Sequence, residues 1–183
     1  MSKPSTYNYR KMTEQSIFVM LFVLISACNY NLNEVVINSP NNINTVIILI
    51  DEGKLLYKVN HEKKLIILPS RLGFIFKDSL SFSDGFKITD VQFSQVDETW
   101  QQPWGSVKTI RNHYEEAIIS ISSFSDPENQ MDLIVRAYDD GIAFRYFFRD
   151  LRDTKTVVIQ DELTEFNLAE DAQSWWIKAY QPS

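Results

Sequence analysis

The last third of the chain contains carboxylates and indole rings whose chemistry suits sugars or hard cations. Asp161, Glu162 and Glu165 come close together in the sequence, and Trp175 and Trp176 follow them. Carboxylate oxygens accept hydrogen bonds from hydroxyl groups and bind Ca²⁺, whereas flat aromatic rings stack on pyranose faces. An acid beside tryptophans is unfavourable in a strand unless it is paired or metal-bound. These residues are therefore the candidate site; the alternative is that the acids lie on an exposed strand edge.

Other residues with catalytic potential have simpler structural interpretations. His61 is expected to be a solvated loop residue, and His113, beside Tyr114 in a predicted strand, a structural histidine. Glu115 and Glu116 are expected on a solvated face. The sequence contains no HExxH, GxSxG or CxxC motif and no phosphate-binding glycine loop. No catalytic residue is therefore assigned.

The elements that must position these groups are predicted to be β-strands. Runs of β-branched and aromatic residues are separated by turn residues, and no stretch has a sustained 3.6-residue period. This pattern predicts an all-β sandwich. The predicted strands are Val35–Asn38, Val46–Ile50, Lys54–Asn60, Leu65–Leu68, Leu72–Lys77, Phe86–Val96, Val107–Ser122, Leu133–Tyr138, Ile142–Phe148, Val157–Gln160 and Phe166–Leu168.

Local turn chemistry predicts how some of these strands connect. Asp51-Glu52-Gly53 is a hairpin signal. The sequence Asp139-Asp140-Gly141 predicts a second tight hairpin with positive φ at its turn positions. The alternation in the strand from Phe86 is out of step between Ile88 and Val91, and a β-bulge there would restore it.

The N-terminus has the organisation of an export signal. Lys3, Arg10 and Lys11 precede the apolar run Ile17–Ile25, which is too short to span a bilayer. Small residues then lead to Cys28, the sole cysteine, in a pattern similar to a bacterial lipobox. Residues 1–27 are therefore expected to be a lipoprotein signal peptide and residues 28–41 a tether. The expected location is the periplasm or outer membrane, with a lipid anchor on Cys28; the alternatives are plain secretion after cleavage behind Ala27, and a transmembrane anchor.

Composition limits the class of partner. The chain has 18 Lys and Arg against 24 Asp and Glu, a formal net charge of −6. Nucleic acid binding needs a basic stripe, so nucleic acid is excluded as a partner. The roughly 155 residues after Cys28 suffice for one domain that buries about two thirds of its unfolded surface.

Five sequence blocks, in order, resemble glycoside hydrolase family 97, a family of bacterial α-glucosidases and α-galactosidases. The blocks are Glu98-Thr99-Trp100, Pro103-Trp104-Gly105, Ile110-Arg111-Asn112-His113-Tyr114, Tyr138-Asp139-Asp140-Gly141-Ile142-Ala143-Phe144-Arg145-Tyr146, and Asp161-Glu162-Leu163-Thr164-Glu165-Phe166 with Trp175-Trp176-Ile177. The resemblance covers residues 42–183. It is to the N-terminal domain of the family, a β-supersandwich similar to galactose mutarotase.

The resemblance implies a role in α-glycoside hydrolysis shared with a second domain. In the family a (β/α)8 barrel follows and supplies the catalytic carboxylates, and the N-terminal domain contributes a glutamate to an active-site Ca²⁺. That role is carried to Glu162, with Glu165 second, and Trp175 and Trp176 are expected to contact an α-linked oligosaccharide. Ca²⁺ is expected only as part of the full-length enzyme.

The sequence is expected to depart from the family by lacking the barrel and by having a sandwich that is incomplete at its C-terminus. Ser106 also stands where the family often has an acid. The chain alone is expected to be inactive. Two alternatives remain open: a stand-alone glycan-binding surface lipoprotein that uses Trp100, Trp104, Trp175 and Trp176, and a mutarotase-like epimerase. The aromatic residues would otherwise be core residues.

Overall fold

The structure, a computed structural model, describes residues 32–77, 81–124, 130–148, 158–173 and 175–176. The expected signal segment and Cys28 lie outside these residues. All elements named in the described part are strands, which confirms the predicted all-β class. They are β1 (Glu34–Asn38), β2 (Asn44–Asp51), β3 (Lys54–His61), β4 (Lys64–Arg71), β5 (Phe74–Phe76), β6 (Ser81–Phe82), β7 (Phe86–Gln101), β8 (Thr109–Ser123), β9 (Gln130–Tyr138), β10 (Gly141–Phe147) and β11 (Ile159–Glu162). Among the described residues, no helix has the length and apolarity needed to cross a membrane.

The first four strands form an antiparallel meander in the order β1-β2-β3-β4. Each of its two tight hairpins uses positive φ at two turn positions: Glu52 (47°) and Gly53 (77°), then Glu62 (47°) and Lys63 (68°). These dihedrals match the right-handed twist of the flanking strands. The predicted turn at residues 51–53 is confirmed.

A second four-stranded sheet has the order β10-β9-β8-β7, and a smaller sheet has the order β11-β5-β6. The register of β7 against β8 shifts between Ile88 and Asp90, which confirms the predicted bulge. The bulge lies at Thr89, whose hydroxyl donates to the Ser120 carbonyl at 3.1 Å. β7 extends to Gln101, beyond the predicted end at Val96.

The core lies between the inner faces of the two large sheets. Alternate residues of β2 and β3 face alternate residues of β8 and β9, as the period of a strand requires. Branched aliphatic side chains supply most of this layer: Val46, Ile48, Leu55, Val59, Ile119, Ile121, Leu133 and Val135 are all buried. Phe74, Phe76 and Phe82 of the smaller sheet close one side of the core. Their rings pack with one another and with Phe86 of β7 and Phe148, which follows β10.

The second predicted hairpin forms, but its predicted backbone conformation is wrong. Tyr138 pairs with Gly141, so Asp139 and Asp140 make the turn, and no residue of the turn has positive φ. Tertiary hydrogen bonds hold it instead. Asp139 accepts from the backbone N–H and side-chain amide of Asn41 at 3.0 and 2.6 Å. The backbone hydrogen bond from Asn41 keeps the pKa of Asp139 below its ordinary value.

The predicted strand Phe166–Leu168 is also wrong as a regular element. Leu168 makes a single bridge to Ile67. The backbone N–H of Asn167 donates to the Ser70 hydroxyl at 2.9 Å, so a side chain takes the place of a ladder carbonyl. Pro69 lies beside this position in β4 and has no N–H to donate.

Candidate functional site

The candidate acids lie on an extended segment, residues 158–169, that runs along the edge of β5 and then β4. Glu162 pairs with Phe74, and backbone N–H groups of Leu163 and Glu165 donate to the carbonyls of Gly73 and Arg71, both at 2.9 Å. A continuous set of backbone hydrogen bonds therefore fixes this segment on the sandwich.

Glu162 is an available carboxylate of this segment. It ends β11 and its side chain is exposed. Unlike its backbone, that side chain makes no hydrogen bond or ion pair within the described part of the chain. Asp161, its neighbour in β11, is also exposed. The exposed carboxylate of Glu162 is free to bind a partner outside the described residues, while its backbone is held in a sheet.

Glu165 has a different environment. Its Oε2 accepts hydrogen bonds from the backbone N–H of Arg71 at 3.0 Å and from the Asn167 side chain at 3.2 Å. Its own carbonyl accepts from the Tyr57 hydroxyl at 2.8 Å. Since both its carboxylate and its backbone attach the segment to the sandwich, Glu165 anchors the strand that presents Glu162.

Tyr146 of β10 makes a second attachment between the sandwich and this segment. Its hydroxyl lies 2.9 Å from the Thr164 hydroxyl, and its ring packs edge-on against Phe74 with centroids 4.5 Å apart. Burial raises the pKa of the Tyr146 hydroxyl to about 12, and the negative charge of Glu162 adds to the rise. Thr164 lies two residues after Glu162 in the chain, so this attachment holds the segment close to Glu162.

Alkaline titration should reveal the burial of the Tyr146 hydroxyl, which is the main cause of its raised pKa. The folded pKa of about 12 lies above the unfolded value of 10.0. The contribution of the neutral, buried Tyr146 hydroxyl to the free energy of unfolding is therefore complete below pH 10. It is lost as pH rises through 12. Urea unfolding of the wild type and Tyr146→Phe should show a stability difference that shrinks between pH 9 and pH 12, about 1 kcal/mol at the start for the lost hydrogen bond. A difference that stays constant over this range would contradict the assignment.

Trp175 and Trp176 are not core residues. Their exposed fractions are 93% and 78%. No group of three or more His, Cys, Asp or Glu side chains that could hold a metal occurs in the described ranges. Glu162 and Glu165 thus lie in one segment, but no third such ligand joins them among the residues described.

His61 has a partner that the sequence did not indicate, and His113 borders a hollow. His61 is the last residue of β3, not a loop residue, and its Nδ1 lies 2.7 Å from Oδ1 of Asn44. His113 is half-buried in β8 and borders an open hollow, whose other lining residues are Arg111, Tyr138, Asp139 and Asp140. Asp139 is bonded to Asn41, as described above. Arg111 is paired with Asp97 at 2.7 Å, and this hydrogen bond lowers the pKa of Asp97.

Glu116 belongs to a polar network on the outer face of the second sheet, which the sequence analysis did not predict. The side chain is only 14% exposed, so the expected solvated face is wrong there. Its Oε2 accepts from Nε of Arg136 at 2.7 Å, and the guanidinium of Arg136 stacks over Tyr114 at 4.4 Å. The ring of Tyr114 in turn contacts Tyr138 at 5.1 Å. The alternation of arginine and aromatic residues was the available signal, but pairing between strands was needed to bring the residues together.

Solved structures place this fold in a class, the β-sandwich domains of glycoside hydrolases. A family 97 enzyme from Pseudoalteromonas sp. strain K8, in complex with acarbose, has a TM-score of 0.69 and 31% identity. A variant of that enzyme in complex with panose gives the same values, and each comparison covers 74% of this chain and 20% of the other. A β-arabinopyranosidase shares the fold with a TM-score of 0.68 over 78% of this chain and 24% of its own, at 22% identity.

The sequence pattern of the family named Glycosyl-hydrolase 97 N-terminal matches residues 37–183, and the chain belongs to that family. A curated relative, the retaining alpha-galactosidase of Bacteroides thetaiotaomicron, is 25% identical over 130 residues, which are 70% of this chain and 18% of that protein. The chain therefore spans about a fifth of the length of these relatives.

Proposed function

We propose that this β-sandwich is the N-terminal domain of an α-glycoside hydrolase and contributes Glu162 as one ligand of a Ca²⁺ ion shared with a catalytic domain. The carrying observation is that Glu162 is exposed and unpaired among the described residues, on a segment attached to the sandwich from two sides. A carboxylate fixed in this way meets a cation without first losing side-chain partners.

The donor set fits a shared site. Ca²⁺ takes six to eight oxygen ligands, and the described residues bring no cluster of three candidate side chains together. Glu162 would supply one negative oxygen ligand, and Glu165 would hold the segment in position. Ca²⁺ would supply positive charge at the shared site, and the remaining ligands would come from the catalytic domain.

The proposed substrates are α-linked oligosaccharides. The Pseudoalteromonas enzyme was solved with panose and with acarbose, and the Bacteroides relative is a retaining alpha-galactosidase. In this chain Trp175 and Trp176 would contact the sugar, because their rings are exposed and close in sequence to the acidic segment. Hydrolysis itself is assigned to the catalytic domain.

Calcium affinity tests the proposal in two proteins. The isolated chain should bind Ca²⁺ no tighter than about millimolar, as an incomplete site does. A chimera in which residues 37–183 replace the matching region of the Pseudoalteromonas enzyme should bind Ca²⁺ tightly. There Glu162→Gln should weaken binding about tenfold or more, which is about 1.4 kcal/mol or more, in isothermal titration calorimetry.

Asp161→Asn is the matched control, since it removes a charge from the adjacent exposed residue of β11. It should change the dissociation constant of the chimera less than about twofold, the range usual for a surface substitution. Equal losses in the two variants would mean that general charge, and not ligation by Glu162, determines affinity. Micromolar binding by the isolated chain would assign it a complete site of its own.

A second candidate function is a glycan-binding surface lipoprotein that acts without a catalytic domain. The exposure of Trp104, Trp175 and Trp176 favours it, since their exposed fractions are 83%, 93% and 78%. Polysaccharide binding by the isolated chain that depends on Trp175 and Trp176, with no effect of Glu162→Gln in the chimera, would favour this function over the first.

Export and anchoring complete the proposal. The basic segment, apolar run and lipobox-like residues before Cys28 support lipidation of that cysteine in the periplasm or outer membrane. Cys28→Ala should move the protein from the membrane fraction to the soluble fraction, because the chain has one cysteine and so one such attachment point. Fractionation and immunoblotting measure this shift. Unchanged membrane retention of Cys28→Ala would contradict lipid anchoring.

A further inference from the structure

The hairpin formed by β7 and β8 extends beyond the rest of its sheet. The two strands remain paired from Phe86 with Ser123 to Gln101 with Thr109. Pairing of β8 with β9 starts only at Glu115, so residues 96–101 and 109–114, which we call the ribbon, have two strands in the described structure. Bidentate contacts between Arg111 and Asp97, at 2.8 and 2.7 Å, tie its strands together.

The loop at the tip of the ribbon is held by one side chain. Gln102 donates its backbone N–H to the Lys108 carbonyl at 3.0 Å and its side-chain amide to the Val107 carbonyl at 2.7 Å. Gly105 has φ of +107°, and a Cβ atom there would lie 2.9 Å from Nε2 of Gln102. Hydrogen bonds from Gln102 therefore join the two ends of the loop, and the backbone at Gly105 packs closely against the Gln102 side-chain amide.

This closed loop presents an exposed indole over an open hollow. Trp104 is 83% exposed. The hollow has a volume of about 450 Å³, within the size range of small-ligand sites. Its lining residues are Gln101, Gln102, Pro103, Trp104, Gly105 and Lys108. They combine one large flat ring with amide groups and an ammonium group, and they include no carboxylate.

We propose that the tip hollow is a carbohydrate subsite that binds one neutral pyranose unit of a polysaccharide. A pyranose ring has a face of C–H groups bordered by hydroxyls. Trp104 provides an apolar face for it, and Gln101 and Lys108 carry donors for the hydroxyl oxygens. The hydrogen bonds of Gln102 fix the loop before the sugar arrives, which reduces the entropy lost on binding.

The lining disfavours the other ligand classes. A divalent cation needs carboxylate or carbonyl oxygens in number, and no acidic side chain borders the hollow. A large apolar partner would need more than one exposed ring, whereas amides and Lys108 make up much of this lining. The proposed subsite does not depend on the proposed calcium site at Glu162, because binding of a neutral sugar by these residues requires no metal ion.

Affinity gel electrophoresis tests the subsite, since it detects the weak binding expected from a single stacked ring. The isolated chain should be retarded in native gels that contain soluble starch, which has α-linked glucose, or galactomannan, which has α-linked galactose branches. The choice of α-linked sugars rests on the proposed function. Trp104→Ala should raise the dissociation constant at least fivefold, Trp104→Phe should restore part of the affinity, and Gln102→Ala should have an intermediate effect.

Phe93→Ala is the matched control, because Phe93 is a 61% exposed ring on the same strand, away from the tip. It should leave retardation unchanged. The gels contain no added Ca²⁺, so a failure of the calcium proposal leaves this result intact. Circular dichroism establishes that each variant is folded. The subsite is overturned if neither neutral polymer retards the wild type, if Trp104→Ala is retarded equally, or if retardation occurs only in an anionic polymer.

Discussion

Replacing Gly73 with alanine is expected to unfold the protein or lower its free energy of unfolding by about 3 kcal/mol or more, because strained backbone and a backbone clash occur together. Gly73 has φ of +144°, a conformation that residues with a Cβ atom rarely adopt. A Cβ atom there would lie 2.3 Å from the carbonyl oxygen of Phe82. Backbone, unlike a flexible side chain, cannot move away at small cost.

The strain should reach the candidate site. The Gly73 carbonyl accepts from the backbone N–H of Leu163, next to Glu162, so a shift at Gly73 disturbs the strand that presents the carboxylate. Gly141→Ala is the control, because a Cβ atom there meets nothing within 4 Å and the φ angle is not in the restricted range. Urea unfolding should separate the two variants clearly. Equal stability of the two would show that the segment around Gly73 moves freely.

The strands could be predicted from the sequence where local and tertiary preferences agree. Alternation in β2 and β3 matches their burial, since Val46 and Ile48 face the core while the residues between them are less buried. The bulge at Thr89 was visible as a break in the alternation of apolar residues along β7. The turn at Glu52 and Gly53 follows in part from Gly53, a residue type that accepts positive φ, whereas Glu52 has positive φ although its type does not favour it.

Predictions failed where a distant residue determines the local structure. The turn at Asp139 is fixed by Asn41, and the segment at Asn167 is fixed by Ser70. Neither partner lies near in sequence, so no local pattern could reveal it. Residue type alone does not distinguish Glu162 from Glu165, which the family resemblance ranks first and second. The hydrogen bonds of Arg71 and Asn167 to Glu165 separate an anchoring carboxylate from an available one.

The candidate site therefore depends on rigidity supplied by the small sheet and its rings. β5 carries the backbone partners of β11 on one edge and β6 on the other. β6 has only two residues, so its hydrogen bonds alone are too few to hold it. The ring of Phe82 must provide most of the attachment, and through β5 it supports the position of Glu162.

Phe82→Ala should accordingly be the most destabilising single truncation in this part of the fold. Phe82 is 1% exposed, and its ring contacts Phe76, Phe86 and Phe148 with centroids 6.0, 6.3 and 5.3 Å away. Truncation of a buried phenylalanine lowers the free energy of unfolding by about 3 to 5 kcal/mol. For a domain of this size, that corresponds to a melting temperature lower by about 10 °C.

Phe93→Ala removes the same atoms from a ring that is 61% exposed, so it should lower stability by less than about 0.5 kcal/mol. Differential scanning calorimetry of the two variants measures the contrast. Because the lost contacts lie behind β5, hydrogen exchange in Phe82→Ala should rise first at the amides of β5 and β11. A small change in melting temperature, with exchange in β11 unaltered, would mean that the backbone ladder holds Glu162 without the rings.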